Sequence, residues 1–565
     1  MTDSEIPDVL TLVAAARGVY RDDPAAQSVL GALEQRLREP LRVAVAGIVK
    51  AGKSTLLNAL LGERIAPTDA GECTRVVTWY RYADVPSITV HPHGARAQQI
   101  PVRRTAGRLV LDLGRYAAED VDHIEVHWPS RMLRTLTLID TPGIASLSQD
   151  LSARSLALLT PEESPSSADA ILYLIRHLHA SDLKFLEAFR DTAAGTAQTV
   201  NALAVLSRAD EIGSGRIDSL LSARRVAERY ERDGMLSSLA LGVMPVAGLL
   251  AEGARTLRES EFASFRTLAQ LERAEREPML VSADRFVNTA HALPEASRRE
   301  LLDRFGIFGV RLATSLIRGG ADDSSVLAEQ LVAQSGLNEL VATVRMHFRS
   351  RAPALKARAV CDALTQLIAE KPRPSTDEIE AGIEKIQVGA HGLRELALLG
   401  RIRTGDVTLP PALVREAERI IGGAGDDASL RLGLPPDADG DALRARLDDR
   451  LDHWRAVSAS PLVMRDGVQA ARTVVRSLER IASEIGCRGA DATDVVTAGG
   501  PGDGPAEGAQ QQRQKHEAAL QHQRRSQQGA LWTGGRELDH DQVQQQLHQE
   551  RRQLPPSDTR AAAHE

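Results

Sequence analysis

Eight consecutive residues near the start of the chain have the types and spacing that bind a phosphate chain. The segment GIVKAGKS at 47–54 matches the pattern G-x-x-x-x-G-K-S and lies between an apolar run and the helical segment LLNALLG. In such a loop, backbone N–H groups surround phosphate oxygens, the lysine bridges the β- and γ-phosphates, and the serine hydroxyl binds Mg²⁺. The pattern assigns these contacts to Gly47, Val49, Lys50, Ala51, Gly52, Lys53, Ser54 and the adjacent Thr55.

Two further segments are candidates for contacts to the metal and the γ-phosphate. Asp140 ends another apolar run in the motif DTPG at 140–143, where its carboxylate can hold Mg²⁺ through water and the Gly143 N–H can donate to the γ-phosphate. Thr74, in APTDAGECTR at 66–75, is the candidate for a mobile loop that completes the magnesium shell. A turn-rich connection without that role is the alternative for the second segment.

The motif SRAD at 207–210 predicts which base is bound. The Asp210 carboxylate can accept from both N1–H and the N2 amine of guanine, a donor pair that adenine lacks. The segment departs from the guanine motif [NT]-K-x-D at two positions. Ser207 is smaller than the Asn or Thr of that motif, and Arg208 replaces its lysine, although the arginine can stack on the base equally well. We expect GTP to be selected over ATP, the alternative being an exposed Arg and Asp after a strand. The guanine edge is expected to meet the backbone of Val246, Ala247 and Gly248.

Hydrolysis needs a group that the DTPG segment does not supply. Ile144 stands where many small GTPases carry the Gln that positions the attacking water. Lys50 is one of only seven lysines in the chain and lies inside the phosphate loop. We hypothesise that Lys50 supplies positive charge in cis near the β–γ bridging oxygen, as an arginine finger does. A solvated surface lysine is the alternative.

Composition limits the fold and the partners. The 565 residues are 43% apolar and only 3% aromatic, which favours several helix-rich domains over a large aromatic-paired sandwich or barrel. The net charge of −7 gives no reason to expect a nucleic-acid partner. Three scattered cysteines (Cys73, Cys361 and Cys487) argue against a disulfide framework or a zinc site and suit the cytosol. Because no apolar run has the length of a membrane span, bilayer contact is expected from the surface only.

Short apolar runs predict the sheet that positions these motifs. Five of them are typical of buried parallel strands: 41–47, 135–140, 170–175, 202–207 and 243–248. Three alternating segments are typical of half-exposed strands at an antiparallel edge: 76–81, 108–113 and 123–128. Together they predict an α/β P-loop GTPase domain with a mixed, mostly parallel sheet.

Helical signals surround this sheet. Asp23 and Pro24 form an N-cap and N1 pair ahead of an amphipathic helix with Val29, Leu33 and Leu37 on one face. Beyond the sheet, helical spacing continues to 486, and the Gln-rich composition that follows predicts disorder. The predicted parts are N-terminal neck helices (1–40), a GTPase core (41–255), its helical completion and neck (256–350), an all-α trunk bundle (351–486) and a disordered tail (487–565).

A resemblance to a known family is carried by the motifs at 47–60, 66–75, 140–143 and 207–218, by LLDRFGIFGVRLA at 301–313 and by SGLNELVATV at 335–344. In these motifs the chain resembles the dynamin-like GTPases. Within that family the resemblance is to the actinobacterial isoniazid-inducible proteins of the C type. It implies a GTPase domain on a helical neck and trunk, nucleotide-dependent homodimers or higher oligomers, and remodelling of the anionic inner membrane face. A paralogous dynamin-like protein is a further candidate partner.

Two other functions remain open at this point. A GTP-gated scaffold could recruit a partner through its trunk, with incidental turnover. A ribosome-assembly GTPase would need a basic RNA-binding appendage, which the acidic balance disfavours. For lipid contact, FGIFGV at 305–310 is better explained as a buried helix start, and the preferred segment is the trunk tip between 372 and 440, around Val407, Leu409 and Leu413.

Overall fold

The computed structural model of the chain describes residues 5–494, apart from 69–75, 143–166, 195–200, 233–235, 237–238, 291–292 and the single positions 106, 115, 214, 350, 390, 406, 424 and 426. From 495 onward the predicted disordered tail lies outside the described residues. The last helix continues to Asp494, past the predicted start of the tail at 487, in a stretch that contains no proline.

Eleven strands are present in the described residues. Nine of them form one sheet in the order β11-β10-β9-β1-β8-β2-β7-β3-β4, and β5 and β6 form a separate hairpin. The strands are β1 (Leu41–Gly47), β2 (Val77–Tyr82), β3 (Ser87–Pro92), β4 (Gln98–Ile100), β5 (Arg103–Thr105), β6 (Arg108–Val110), β7 (Val121–Trp128), β8 (Leu136–Asp140), β9 (Ala170–Ile175), β10 (Ala202–Ser207) and β11 (Val243–Val246).

The five predicted parallel strands are confirmed. β11, β10, β9, β1 and β8 lie side by side, and each neighbouring pair is parallel. They are apolar on both faces because separate cores cover the two sides of the sheet. Along β1, Val43 and Val45 belong to one core, and Ala44 and Ala46 belong to the other. The carboxyl ends of these strands therefore meet at one edge, where the sequence motifs follow them.

The predicted antiparallel edge is wrong for two of its three segments. β2 lies inside the sheet, antiparallel to β8 and parallel to β7, with four of its six residues buried. Residues 108–113 contribute only β6, which pairs with β5 outside the main sheet. The edge consists instead of β3 and β4. β3 has a short alternation in which Ile88 and Val90 are buried, whereas β4 is mostly polar. Of the three predicted segments, only β7 shows the predicted alternation, with one face buried.

Helices precede, connect and follow the strands. They are α1 (Glu5–Val19), α2 (Pro24–Arg38), α3 (Lys53–Leu61), α4 (Ala180–Ala194), α5 (Ser219–Arg232), α6 (Gly248–Arg255), α7 (Glu259–Gln270), α8 (Arg273–Met279), α9 (Ala283–Asn288), α10 (Glu295–Arg318), α11 (Ser324–Gln334), α12 (Leu337–Val344), α13 (Ala352–Glu370), α14 (Asp377–Gly389), α15 (His391–Thr404), α16 (Pro411–Ile420), α17 (Ala428–Leu432), α18 (Gly440–Ala459) and α19 (Arg465–Asp494). None of the described helices is both long and apolar enough to cross a bilayer.

The start of α2 is as predicted, but its buried face is shifted. Asp23 caps the helix by accepting from the Ala26 N–H at 3.0 Å. Val29 is exposed, and Leu30 takes its place on the buried face with Leu33 and Leu37. Both stripes fit a period near 3.6 residues, so the spacing alone did not distinguish the two neighbouring residues.

The C-terminal helices are bonded to the N-terminal helices and to the connection that leads into β1. The Lys356 ammonium, on α13, is buried and donates to the Leu37 and Glu39 carbonyl oxygens at 2.8 Å each. The Tyr20 hydroxyl donates to the Lys371 carbonyl oxygen at 2.7 Å. The residues that connect α2 to the phosphate-loop strand are therefore bonded to a helix more than 300 positions later in the chain.

A third core joins α6 to α11. Phe305, Phe308 and Val310 are buried in it, so the prediction that FGIFGV starts a buried helical stretch, and is not an inserting loop, is confirmed. Gly306 has φ of 64° and breaks the helical geometry inside α10. A lipid-inserting role for Val407 is wrong, because its side chain is buried, and Leu409 and Leu413 pack against the same core.

Candidate nucleotide-binding site

The phosphate loop turns sharply between β1 and α3. Gly47 and Gly52 have φ of 143° and 95°, and Lys50 occupies the left-handed region with φ of 62° although it carries a side chain. A Cβ atom at Gly47 would lie 2.5 Å from the Leu174 carbonyl oxygen, so only glycine fits between the loop and β9. Within the loop, the Val49 and Lys50 side chains are exposed and Ala51 is buried.

The Lys53 ammonium lies inside this turn. It donates to the carbonyl oxygens of Gly47 and Ile48 at 3.2 Å each. Burial lowers the pKa of Lys53, and the nearby Asp140 carboxylate opposes that shift. A desolvated cation with only long bonds to carbonyls is well suited to an anion, because a phosphate oxygen would offer it a stronger charge-assisted bond.

Ser54 and Asp140 form an oxygen-rich site beside the lysine. The Ser54 hydroxyl donates to Asp140 Oδ2 at 3.0 Å. Asp140 Oδ1 is out of solvent and has no hydrogen-bond partner among the described residues. Burial raises the pKa of Asp140 to about 6, against the opposing effects of Lys53 and Ser54. A carboxylate oxygen without a partner next to a hydroxyl fits Mg²⁺, which prefers hard oxygen ligands.

The SRAD motif lies next to the phosphate loop and is hydrogen-bonded to it. The Ser207 hydroxyl donates to the Ile175 carbonyl oxygen at 3.1 Å and so fixes the end of β10 to β9. Arg208, at φ of 53°, donates from Nη2 to the Lys50 carbonyl oxygen at 3.0 Å and from Nη1 to Glu211 at 2.8 Å. The arginine that departs from the guanine motif thereby ties the motif to the phosphate loop.

One pocket brings the predicted phosphate and base contacts together. It is lined by Ala51, Gly52 and Thr55 from the loop and α3, by Ser207, Arg208 and Asp210, and by Val246 and Gly248. Asp210 is 7% exposed, and burial raises its pKa to about 6. A nearly buried carboxylate in a pocket next to a phosphate loop can recognise a base that presents paired donors.

Two of the predicted site residues, Thr74 and Gly143, lie outside the described residues, as does Ile144. A third predicted residue, Ala247, is buried and donates its N–H to the Ser335 carbonyl oxygen at 2.9 Å, so that N–H is not free to contact a base. Close packing explains this bond: a Cβ at Gly336 would lie 2.3 Å from the Pro245 carbonyl oxygen.

Two residues at the site were not predicted from the sequence. Glu211 lines the pocket and pairs with Arg208 and Arg176. Gly306 places the break in α10 beside the base motif, where an added Cβ would lie 3.8 Å from Asp210 Oδ2. The signal for Gly306 was present, since a glycine inside a helical pattern indicates a kink or a close approach.

Comparison with known proteins identifies the family to which this geometry belongs. The Dynamin family profile matches residues 43–190. The isoniazid-induced protein IniC of Mycobacterium tuberculosis is 39% identical over 488 residues, which cover 85% of this chain and 99% of that protein. The isoniazid-induced protein IniA of the same organism is 39% identical over 147 residues, 24% of this chain and 22% of that protein.

A solved structure described as an oligomerised bacterial dynamin pair also matches. It is 11% identical, the match covers 86% of this chain and 75% of that chain, and the TM-score is 0.28.

Proposed function

This chain belongs to the dynamin family of GTPases, among the isoniazid-induced proteins, and on that premise we propose that it binds GTP with Mg²⁺ and hydrolyses it to GDP and phosphate. We further propose that it self-associates through its GTPase domain and remodels or tethers the inner face of the cell membrane. The observation that carries the proposal is the shared pocket of the phosphate loop and Asp210.

Each part of the pocket has a proposed role. The phosphate loop donates backbone N–H groups to the β-phosphate, and the Lys53 ammonium exchanges its long carbonyl bonds for phosphate oxygens. Asp210 accepts from N1–H and the N2 amine of guanine, while Arg208 covers the base face. Val246 and Gly248 lie at the guanine edge.

Ser54 and Asp140 are the proposed Mg²⁺ residues, with Thr74 completing the shell. Mg²⁺ would neutralise charge on the β- and γ-phosphates. The Asp140 oxygen without a hydrogen-bond partner supports this assignment, because a buried carboxylate oxygen is otherwise costly to leave unpaired. The Gly143 N–H is the proposed donor to the γ-phosphate.

Lys50 is the proposed source of positive charge at the β–γ bridging oxygen. Its side chain is exposed on the loop, its backbone is in the left-handed region, and its carbonyl oxygen accepts from Arg208. We expect Lys50→Ala to lower turnover at saturating GTP by about 10²-fold, the effect of removing one transition-state donor, with little change in GTP affinity. Lys184→Ala, at another exposed lysine, is the control. Turnover of Lys50→Ala equal to wild type would refute the assignment.

The proposed membrane contact is the loop between α18 and α19. Leu462 is 93% exposed and Met464 is 65% exposed in this loop, next to Arg465. Exposed apolar side chains beside a cation can enter the boundary of an anionic bilayer. This loop replaces the segment around Val407 as the candidate for lipid contact, on the surface of a peripheral protein.

One experiment tests the function as a whole. The hydrolysis rate per molecule is measured against protein concentration, with and without anionic liposomes. A rate that rises with both variables supports a self-associating membrane GTPase. A slow rate that is flat in both variables favours the alternative, a GTP-gated scaffold with incidental turnover. Mixing with a paralogous dynamin-like protein then tests whether the second chain raises the rate further.

A further inference from the structure

A cluster of potential metal ligands lies on the sheet away from the nucleotide pocket. His91 on β3 is directly opposite His123 on β7, and Glu125 is the next residue on the same face of β7. One ligand atom from each of these three side chains lies within 4.8 Å of the other two. None of the three lines the nucleotide pocket. We call these three residues the histidine cluster.

The distance between two ligand atoms in the histidine cluster matches the distance between two ligands of a tetrahedral metal ion. His91 Nε2 and Glu125 Oε2 are 3.5 Å apart. Two atoms that each bind a tetrahedral Zn²⁺ at about 2.1 Å are separated by about 3.4 Å. A direct hydrogen bond between them would be shorter, with a usual length of about 2.9 Å. His91 Nε2 is also out of solvent and has no hydrogen-bond partner among the described residues.

Neighbouring side chains hold two of the three ligands, His123 and Glu125. Asp122 Oδ2 lies 2.7 Å from His123 Nδ1, which leaves Nε2 of that ring as the ligand nitrogen. Arg81 pairs with Glu125 Oε1 at 3.2 Å, so the other carboxylate oxygen faces His91. The two imidazole rings are stacked, with centroids 4.2 Å apart and planes 11° from parallel. Because a metal lies in the plane of each imidazole that binds it, one ring must turn for both nitrogens to reach the same ion.

We propose that His91, His123 and Glu125 bind one Zn²⁺ or a similar first-row divalent ion, with the fourth position open to water or to a ligand from another molecule. Two imidazoles and one carboxylate select such an ion over Mg²⁺, which prefers an all-oxygen shell. The proposed site contains no cysteine, so it is consistent with the scattered cysteines of the chain. Its ligands come from two strands that the sheet register brings together. The ion would join β3 to β7 near the point where their pairing becomes irregular, after His91.

The test is titration of the metal-free full chain with Zn²⁺ alone, without nucleotide, followed by calorimetry. We expect one saturable site per chain, absent from His91→Ala/His123→Ala and weakened about 10- to 100-fold by Asp122→Asn. His93→Ala/His127→Ala is the matched control, because it removes the same number of imidazoles from neighbouring positions and should leave the site intact. Tetrahedral visible absorption bands on Co²⁺ addition should follow the same pattern.

Folding and nucleotide binding of each variant are checked by circular dichroism and GTP affinity, which we expect to equal those of wild type. If His91→Ala/His123→Ala retains the Zn²⁺ site, or if the control loses it equally, the proposal is wrong. Absence of a saturable Zn²⁺ site in wild type also overturns it. Because these measurements need no GTP hydrolysis, their failure would leave the proposed GTPase function untouched.

Discussion

At the scale of single residues, Asp210 decides which base the pocket accepts. Its carboxylate is nearly buried, so a base that offers no paired donors leaves it unsatisfied, and such a mismatch is costly. We predict that Asp210→Asn lowers GTP affinity by at least about 100-fold. The same change should raise affinity for xanthosine triphosphate, whose 2-oxo group can accept from the new amide. Calorimetry with both nucleotides checks this, with Asp218→Asn as the exposed control. Unchanged GTP affinity would contradict it.

The same carboxylate predicts a pH dependence. Burial raises the pKa of Asp210 to about 6, and only the ionised form accepts two hydrogen bonds from guanine. Affinity for GDP should therefore be full above pH 7 and fall as pH drops through 6, by about tenfold at pH 5. Titrations without Mg²⁺ isolate this effect from Asp140, whose pKa is also raised to about 6. A constant affinity from pH 7.5 to 5 would show that Asp210 does not contact the base.

At the scale of elements, one buried cation joins α13 to the end of α2 and to the connection that leads into β1. The Lys356 ammonium satisfies the Leu37 and Glu39 carbonyl oxygens. We predict that Lys356→Met lowers the free energy of unfolding by about 1–3 kcal/mol, because two carbonyls lose a partner within a buried contact. Lys385→Met, at an exposed lysine on α14, should have almost no effect. Denaturant unfolding of both variants measures the difference, and equal stability would contradict the prediction.

The sequence predicts elements well where local pattern and tertiary role agree. The run ALAVLS was correctly predicted as a buried strand, because both faces of β10 are buried and the run is apolar throughout. β2 was misplaced because Thr78, Trp79 and Tyr80 have polar atoms but are buried in the sheet. β4 was missed because its polar residues are held by pairing with β3, which no local pattern records. β3 was missed although Ile88 and Val90 alternate with polar residues in it, because that alternation is short. The separate motifs could be found in the sequence, but the Arg208 bond to the Lys50 carbonyl oxygen could not, since it joins residues 158 positions apart.

At the scale of the whole molecule, the exposed loop between α18 and α19 tests whether the chain acts on membranes. Burying Leu462 and Met464 in a bilayer would remove apolar side chains from water at about 1.5–3 kcal/mol each. We predict that Leu462→Ser/Met464→Ser reduces co-sedimentation with anionic liposomes by at least about tenfold, and removes the liposome-stimulated part of the hydrolysis rate. Basal hydrolysis and GTP affinity should be unchanged, because neither residue lines the nucleotide pocket.

The control for this loop removes exposed apolar side chains elsewhere. Val85 is 75% exposed in the connection between β2 and β3, and Val281 is 57% exposed after α8. If general surface hydrophobicity caused liposome binding, Val85→Ser/Val281→Ser would weaken it as much as the loop variant does. Binding that survives only in the control assigns lipid contact to the loop. Binding that survives in both variants would mean that charge alone attracts the chain, and added salt would then release it. A membrane-independent scaffold predicts a third result, in which wild type does not sediment with liposomes at all.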